Sequence, residues 1–366
     1  MQEGLIKRIS MEEGAIRYDL AKTVLGNLPG IPVQEAKGAG ERLEPNDSAM
    51  GKETIHLLPY KGEFLKPCPG TKEYICCGYQ ILNLGTNCPL DCSYCILQAY
   101  INQPHLRVFV NLEEGLEQAL QQIDRQPDRI FRIGTGEFTD SLAIDHITRW
   151  SERLLPLFST RRNVVLELKT KTSQVKGVLD SKYRDRIILS WSLNSPYICL
   201  HEEKMAAGLR KRLEAARQCQ SEGFTLGFHF DPLIQHRGWK DEYLKTLDLM
   251  DKYIDPKGII WISLGSFRFM PGLKPIIRRR HPETCVLDGE FVVGLDGKMR
   301  YFRPIRVDLY GHIRENLEKW HSNLGLYLCM ESDHVWQSSM RWSPTKTAGL
   351  SNYLDSRVLE FFCSNS

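Results

Sequence analysis

Three cysteines in this chain have a spacing that could support metal chemistry. Cys88, Cys92 and Cys95 lie in the stretch NCPLDCSYCILQAYINQ, which covers residues 87–103. Ordinary [4Fe–4S] electron-transfer clusters and structural zinc sites both use four protein ligands. Three neighbouring thiols therefore predict a [4Fe–4S] cluster in which one iron is left open for a substrate or a cofactor. A zinc site completed by a distant fourth ligand, or three structural thiols, would use the same residues.

The Cys-x3-Cys-x2-Cys spacing resembles the signature of the radical S-adenosylmethionine (SAM) enzymes. The aromatic residue before the last cysteine, Tyr94, is also typical of that pattern. The resemblance implies that the open iron binds the amino and carboxylate groups of SAM. It also implies that electron transfer from the cluster cleaves SAM to a 5′-deoxyadenosyl radical. We therefore expect three cysteine ligands, a catalytic role for Tyr94, and an electron donor such as flavodoxin or ferredoxin.

The composition is that of a globular protein with enough length for a large core. The chain has 366 residues, of which 42% are hydrophobic and 25% are charged. Its net charge of +3 does not by itself indicate a nucleic-acid partner. Eleven cysteines without an apolar signal segment at the N-terminus argue against a secreted disulfide framework. No apolar run approaches the ~20 residues of a membrane span, so we expect a cytoplasmic protein without a membrane partner.

Six apolar β-type runs alternate with helical patterns through the middle of the chain. Such alternation predicts parallel βαβ units with right-handed crossovers. We therefore predict an α/β fold, a partial (β/α)6 barrel of the radical SAM type over residues 76–270. An N-terminal extension (1–75) would precede it, and a C-terminal region with a hairpin (271–366) would follow. The six runs cover residues 79–85, 129–134, 164–170, 186–194, 225–231 and 258–265.

Three features outside the strand pattern lead to further predictions. Residues 1–50 are rich in Gly, Pro and charge, which is typical of a linker or a loosely packed arm. Asn111 with Glu114 has the spacing of a capping box at a helix start. Cys68, Cys76 and Cys77 could form a second metal site or supply a fourth ligand. We favour ordinary buried cysteines, because adjacent Cys76 and Cys77 lack a standard ligand spacing.

In parallel barrels the chemistry lies at the carboxyl ends of the strands, so the residues that follow each run are candidates. In the GTGE turn, Gly136 would let a ligand approach the backbone and Glu137 could accept from the SAM ammonium. Lys171 could pair with the SAM carboxylate. A plain turn and a solvated lysine are the alternatives. The other candidates at strand ends are Thr139, Asp140, Lys169, Ser192, Asn194, His229, Asp231, Ser266 and Arg268.

Several segments in order, from residue 76 to about 320, resemble the spore photoproduct lyase family of radical SAM DNA repair enzymes. They include CPLDCSYCILQAYINQP, RVFVN, TDSLAIDHIT, SWSLNSPY, RLEAARQCQSEGFTLGFHFDPLIQHRGW and DGKMRYF. The resemblance implies that Thr139, Lys171, Ser192 and Asn194 contact SAM. It also implies damaged DNA as the partner and a carbon–carbon lyase reaction.

The family resemblance extends to a β-hairpin that pushes an Arg-Tyr pair into the damaged duplex. Here the hairpin would be FVVGLDGKMRYFRPIR, residues 291–306, with a turn at Asp296-Gly297. Arg300 and Tyr301 would be the inserted pair. Basic residues nearby could meet phosphates, although a solvated basic face is an equal alternative. These are Lys298, Arg303, Arg306 and the run Arg278-Arg279-Arg280-His281.

Two departures from the family pattern concern the end of the reaction. The lyase uses a cysteine after its second strand as hydrogen-atom donor, but this chain has no cysteine between Cys95 and Cys199. The tyrosine that follows the third cluster cysteine in the lyase is Ile96 here. Cluster binding and SAM cleavage carry over, whereas repair of the lesion stays open. The alternatives are a radical SAM enzyme on a nucleotide, RNA or peptide, and a non-catalytic nucleic-acid-binding metalloprotein.

Overall fold

A computed structural model describes residues 5–36 and 51–363 of the chain. Its strands belong to three sheets, and most of them are short. In chain order they are β1 (Arg8–Met11), β2 (Val33–Glu35), β3 (Thr54–Leu58), β4 (Leu65–Pro67), β5 (Gln80–Leu82), β6 (Gly85–Thr86), β7 (Leu106–Phe109), β8 (Phe131–Gly134), β9 (Val164–Thr170), β10 (Ile187–Ser192), β11 (Thr225–Leu233), β12 (Ile259–Ser266), β13 (Arg268–Phe269), β14 (Phe291–Val293), β15 (Met299–Tyr301) and β16 (Leu326–Leu328).

The helices lie between the strands and over the ends of the sheets. Short 3-10 turns at Ala15–Arg17 and Pro256–Gly258 accompany them. In chain order the helices are α1 (Asp19–Asn27), α2 (Leu97–Tyr100), α3 (Leu112–Asp124), α4 (Asp145–Thr148), α5 (Trp150–Phe158), α6 (Lys176–Leu179), α7 (Pro196–His201), α8 (Leu209–Ser221), α9 (Trp239–Tyr253), α10 (Leu273–Arg280), α11 (Arg303–Trp320), α12 (Asp333–Met340) and α13 (Thr347–Cys363).

The central sheet is a curled half-barrel of eight strands in the order β16-β12-β11-β10-β9-β8-β5-β4. All neighbours pair in parallel except β4 and β5, which are antiparallel. The six predicted strands are therefore confirmed as six consecutive parallel strands, from β5 to β12. All eight residues of β12 and all six of β10 are buried, as expected for strands covered on both faces.

The helices cover the outer face of the half-barrel with apolar side chains. In α5, Trp150, Leu154 and Phe158 are buried against the sheet. Arg149, which has a left-handed φ of 51°, separates α4 from α5.

The N-terminal extension is more regular than its Gly and Pro content predicts. β1 and β3 lie in a five-stranded sheet of order β2-β1-β3-β7-β6. Ile9 and the α1 residues Leu20 and Val24 are buried, because α1 packs its apolar face into the core. Packing thus overrides the loop signal in residues 5–36, while residues 37–50 lie outside the described residues. β7, from the predicted barrel segment, also belongs to this sheet.

The capping box predicted at Asn111 is not formed. α3 does begin after Asn111, but the side chain makes no capping hydrogen bond. Its Oδ1 accepts from the Tyr60 backbone N at 2.7 Å, and its Nδ2 donates to the Tyr60 carbonyl at 3.0 Å. The amide therefore joins two segments instead of capping the helix.

The third sheet is the predicted C-terminal hairpin. β14 and β15 are antiparallel, and β13 pairs with β15 on its other side. Gly297 has a φ of +74° in the turn, which a residue with a side chain rarely adopts. Across the described ranges, we find no helix that combines the length and the apolarity of a membrane span.

Candidate active site

A cavity of about 340 Å³ opens at the carboxyl edge of the half-barrel. The residues predicted to act on a cofactor reach it from separate segments, because the carboxyl ends of parallel strands meet at one edge. The predicted site residues that line it are Cys88, Cys92, Tyr94, Cys95, Gly136, Glu137, Thr139, Lys171 and Ser192.

The loop that carries the cysteines is fixed at several points. Asn87 begins it with a left-handed φ of 73°, and its Nδ2 donates to the Pro104 carbonyl at 2.7 Å. Lys52 Nζ donates to the Leu90 carbonyl at 3.0 Å and pairs with Asp91 at 2.9 Å. The loop is therefore ordered by contacts outside the cysteine motif, which sequence spacing alone does not reveal.

The thiols of Cys88 and Cys92 lie in an environment that disfavours free thiolates. Burial raises the pKa of Cys88 to about 12 and that of Cys92 well above its usual value. A bound metal centre supplies the positive charge that deprotonates such thiols. The burial is thus compatible with metal ligands, since the centre itself would compensate the charge.

The arrangement of the three cysteines is compatible with a cluster. Over residues 5–36 and 51–363, no group of three or more His, Cys, Asp or Glu side chains is placed to hold one metal ion. In a [4Fe–4S] cluster each cysteine binds a different iron, so its sulfur ligands surround a volume instead of one point. The three residues line a common cavity, which gives that volume.

Tyr94 lies at the cavity as predicted, but its hydroxyl is committed to a partner. The hydroxyl donates to Glu203, whose other oxygen accepts from Arg212. Burial, followed by the charge of Glu203, raises the pKa of Tyr94 well above its usual value. Lys171 Nζ lies 5.8 Å from the centroid of the Tyr94 ring. The phenol is therefore a fixed, protonated group at the cavity wall.

The GTGE turn brings its glycine and its carboxylate to the cavity. A Cβ at Gly136 would stand 2.8 Å from the Lys169 Cβ, so the close approach of the two segments requires glycine. Glu137 pairs with Lys169 Nζ at 2.5 Å. Thr139 is buried at the cavity wall. A cationic ligand at Glu137 would therefore share this carboxylate with Lys169.

Asp140 is a positioning residue whose contacts could not be predicted from the sequence. Its Oδ1 accepts from the backbone N of Leu142 at 3.0 Å and of Ala143 at 2.9 Å. Its Oδ2 accepts from the backbone N of Lys171 at 2.8 Å. One carboxylate therefore fixes the loop after β8 to the end of β9, where Lys171 projects.

Asn194, which the resemblance assigns to SAM, does not line the cavity, unlike Ser192. Asn194 is buried. Its Nδ2 donates to the Pro232 carbonyl at 2.8 Å, and its Oδ1 accepts from the Tyr243 hydroxyl at 2.6 Å. The amide thus joins the strand end to α9, and its contact with SAM stays a prediction.

A buried carboxylate, Glu167, forms the polar floor of the cavity. Its oxygens accept from the Tyr79 hydroxyl at 2.8 Å, Ser190 at 2.5 Å and Trp261 Nε1 at 2.8 Å, and one contacts His229 Nε2 at 2.9 Å. Burial would raise the pKa of Glu167, but His229 and the other donors hold it below the usual value. A glutamate inside the apolar run VVLELKT was the available signal for this site.

The other side of the cavity carries an ion pair and three additional thiols. Arg268 donates to both oxygens of Asp231, at 3.1 and 3.0 Å, and to Cys329 Sγ at 3.3 Å. Cys68 and Cys77 line the same cavity. Burial is the first cause that raises the pKa of all three thiols, which keeps them protonated. Sequence spacing gave no reason to group Cys329 with the other two.

Arg300 and Tyr301, the predicted inserted pair, lie inside the protein in this structure, and their insertion into a duplex stays a prediction. Their exposed fractions are 1% and 0%. Arg300 pairs with Asp296 at 2.7 Å and stacks over the Tyr74 ring at 4.0 Å. The Tyr301 hydroxyl accepts from the Gln235 backbone N at 3.1 Å. The hairpin packs inward on these side chains because both have partners in the body of the protein.

The exposed part of the hairpin is apolar, and most of its basic residues are engaged. Val293 and Leu295 have exposed fractions of 67% and 77%. Lys298 lines the cavity, and Arg306 pairs with Glu331. Only Arg303 of the three predicted phosphate contacts is exposed.

The basic run in α10 faces both outward and inward. Arg278 and Arg279 are exposed. Arg280 donates to Gln98 and to Asp91, the latter at 2.8 Å, so it contacts the cysteine loop. His281 is buried. The run is therefore only partly a solvated face.

Comparisons with known proteins agree with this geometry. The chain is 29% identical over 204 residues to a spore photoproduct lyase of Geobacillus sp. (strain Y412MC61) and 30% identical over 202 residues to that of Bacillus subtilis (strain 168). These matches cover 55% and 54% of this chain, and they span only 60% and 59% of the relatives' length. The lyase of Clostridium acetobutylicum is 20% identical over 298 residues, which are 77% of this chain and 84% of that protein.

Solved structures share the fold, and a family model identifies the chain. A spore photoproduct lyase complexed with dinucleoside spore photoproduct superimposes with a TM-score of 0.78 at 24% identity, covering 89% of this chain and 100% of that one. A variant with bound AdoMet and the same dinucleoside gives the same TM-score and identity, and covers 89% and 99%. The family model "Spore photoproduct lyase" matches residues 75–301, which is more than half of the chain. This protein therefore belongs to the spore photoproduct lyase family.

Proposed function

We propose that this protein is a radical SAM enzyme that acts on a DNA photolesion. The main observation behind the proposal is that three cysteines line one cavity at the carboxyl edge of the half-barrel, together with charged and polar side chains. Family membership supports the same reading. When bound, a [4Fe–4S] cluster supplies the electron that cleaves SAM, after reduction by a donor such as flavodoxin or ferredoxin.

In this proposal the chain's own residues hold and orient the cofactors. Cys88, Cys92 and Cys95 hold the cluster. Lys171 attracts the SAM carboxylate, and its position at the end of β9 is set by Asp140. Ser192 and Thr139 contact SAM from neighbouring strand ends, and Glu137 accepts from its ammonium with help from Gly136. The buried walls exclude water, which strengthens each charge-assisted contact.

A nucleic-acid substrate is supported by aromatic side chains at the cavity. Tyr100 lines the cavity and is 52% exposed. Phe138 lines it as well, with Lys66 Nζ 4.7 Å from the ring centroid. Aromatic rings with nearby cations suit unpaired bases, which stack on such rings. Solved relatives hold the dinucleoside spore photoproduct, which favours a pyrimidine lesion.

The missing hydrogen donor has candidate replacements. Glu137 lies in the stretch where the lyase carries its cysteine, and the charge of Glu137 contributes to the raised pKa of Cys68. We therefore assign hydrogen-atom donation to Cys68, with Cys77 and Cys329 as the other thiols in the cavity. The thiol hydrogen atom would pass to a carbon radical of the substrate and leave a thiyl radical on sulfur. One electron from the reduced donor protein and one proton from solvent would restore the thiol, so that 5′-deoxyadenosine is released.

The decisive experiment measures SAM cleavage by the anaerobically reconstituted protein. With dithionite, SAM and the dinucleoside lesion, we expect 5′-deoxyadenosine and repaired thymidines by chromatography with mass spectrometry. Cys92→Ala should release no 5′-deoxyadenosine, while Cys219→Ala, a buried cysteine outside the cavity, should match the wild type. Release of 5′-deoxyadenosine without any lesion repair would contradict the DNA substrate but keep the radical chemistry.

Solvent deuterium tests the thiol assignment. In D2O the Cys68 thiol exchanges, so the repaired product should carry deuterium. Cys68→Ala should lose that label and accumulate side products, whereas Cys219→Ala should retain it. Full labelling in Cys68→Ala would move the role to Cys77 or Cys329.

A further inference from the structure

Two adjacent carboxylates, Glu202 and Glu203, contact the cysteine loop and do not line the cavity. They follow α7 and are both buried. Cys92 and Glu203 form an isolated antiparallel β-bridge, and the Ser93 backbone N donates to the Glu202 carbonyl at 2.9 Å. The backbone of the loop is therefore joined directly to these two residues.

The Glu203 side chain is fixed at both oxygens. One accepts from the Tyr94 hydroxyl and the other from Arg212. Arg212 is also buried and donates to the Ala207 carbonyl at 2.7 Å and to the Ser192 carbonyl at 2.9 Å. The carboxylate is thus held in one position, next to Cys92 and Tyr94 of the cysteine motif.

The Glu203 carboxylate contributes negative charge beside the cysteine loop, where two cations also lie. Arg212 contacts Glu203 directly, and Lys171 lies within 5.8 Å of the Tyr94 ring. Glu203 is therefore the anion that faces these two cations beside the loop. Its loss would leave the loop with an excess of positive charge in a buried environment, where charges interact strongly.

We propose that Glu203 is a positioning residue that sets both the geometry and the reduction potential of the cluster held by Cys88, Cys92 and Cys95. Its negative charge disfavours the added electron, which makes the reduced cluster a stronger reductant. Groups beyond the direct ligands tune metal centres in this way. The inference rests on the proposed function, because it presumes a cluster on these cysteines.

The test is a redox titration of the reconstituted cluster, followed by electron paramagnetic resonance without SAM or substrate. Glu203→Gln keeps the shape but removes the charge. At a fixed potential we expect an increase of about tenfold in the ratio of reduced to oxidised cluster, which is about 59 mV for one electron. Iron content should stay at the wild-type level.

Glu202→Gln is the matched control. Glu202 is also a buried carboxylate that contacts the cysteine loop. It accepts from Ser93, Thr284 and the Cys285 backbone N, whereas Glu203 accepts from Tyr94. We expect a clearly smaller change than in Glu203→Gln. Tyr94→Phe removes the hydroxyl and keeps the charge, so it should also change the ratio less than Glu203→Gln.

A ratio in Glu203→Gln within twofold of the wild type would overturn the proposal. If Glu203→Gln fails to retain iron, Glu203→Asp replaces it, because that variant keeps the charge. Glu203→Asp should bind iron and keep the wild-type ratio, and a large change there would equally overturn the proposal. A wild-type protein that forms no cluster would instead overturn the proposed function.

Discussion

The two sides of the cavity differ in how their charged groups are satisfied. On the side of the cysteine loop, Lys171 has no salt bridge within the part of the chain that the structure describes, and it faces the cavity. On the other side, Lys169 pairs with Glu137 at 2.5 Å and Arg268 pairs with Asp231 at 3.0 Å. Among the described residues Lys171 thus lacks an ion-pair partner, as the proposed contact with the SAM carboxylate requires. On the other side Arg268 and Asp231 neutralise each other, while Glu137, the proposed acceptor of the SAM ammonium, is shared with Lys169.

The largest expected effect concerns the ion pair between Arg268 and Asp231. Arg268→Met leaves Asp231 with its carboxylate partly buried and without its partner, so we expect a loss of about 3 kcal/mol in the free energy of unfolding. Urea denaturation measures this loss. The exposed pair Arg210–Glu214 provides a control, because water screens it and Arg210→Met should cost much less than Arg268→Met. Equal losses in both variants would contradict the contrast between the two pairs.

The next effect concerns Lys171. In the proposed function Lys171→Met would remove a charge-assisted contact to the SAM carboxylate, worth about 2 kcal/mol, so the dissociation constant for SAM should rise about thirtyfold. Isothermal titration calorimetry on the reconstituted protein measures this constant. Lys169→Met, which breaks the Glu137 pair, should weaken SAM binding less. A larger effect in Lys169→Met would reverse the assignment of the two lysines.

A pH dependence follows from the clamp on the cysteine loop. Burial would raise the pKa of Asp91, but Lys52 and Arg280 lower it from 3.8 to about 2. Because the folded pKa is depressed, the stabilisation is present above pH 3.8 and is lost as the pH falls towards 2. Asp91→Asn should therefore cost about 2 kcal/mol at pH 7 and almost nothing near pH 2, as measured by urea denaturation. A cost independent of pH would contradict the ion pairs as its source.

The smallest effect concerns the cavity mouth. Tyr100→Ala removes an exposed ring on which a base can stack, and we expect binding of a lesion-bearing oligonucleotide to weaken by about 1 kcal/mol. Fluorescence anisotropy measures this change. Tyr197, which is 38% exposed and stacks on His236 away from the cavity, provides the control in Tyr197→Ala. If both variants bind the oligonucleotide as tightly as the wild-type protein does, the stacking role of Tyr100 is excluded.

The parts of the molecule that local pattern determines were predictable. Strand β5 and strands β8 to β12 follow from apolar runs, and the three cysteines follow from their spacing in the sequence. The ends of parallel strands then place Lys171 and Ser192 at the cavity without further information. The partial barrel and most of the cavity wall could therefore be derived before any coordinates.

The rest depends on contacts between residues distant in sequence. Glu203 meets Tyr94 across 109 positions, and no local signal announces that pair. Arg300 and Tyr301 look like an exposed basic and aromatic pair, but Tyr74 and Gln235 bury them from two other segments. The contacts of the Asn194 amide with Tyr243 of α9 and with the Pro232 carbonyl likewise have no local signal in the sequence. The alternation along a strand predicts on which face of the sheet a side chain lies. Tertiary packing decides whether other segments cover that face.

The helix α10 links the outer surface to the interior of the protein. It carries Arg278 and Arg279 outside, while Arg280 holds Asp91 of the cysteine loop. Thermodynamic linkage is reciprocal, so any polyanion that shifts this helix on docking changes the affinity of the loop for its metal centre by some factor. Binding of an iron–sulfur centre by the loop would then change the affinity for the polyanion by the same factor. The affinity for nucleic acid should therefore differ between the apo and the holo protein.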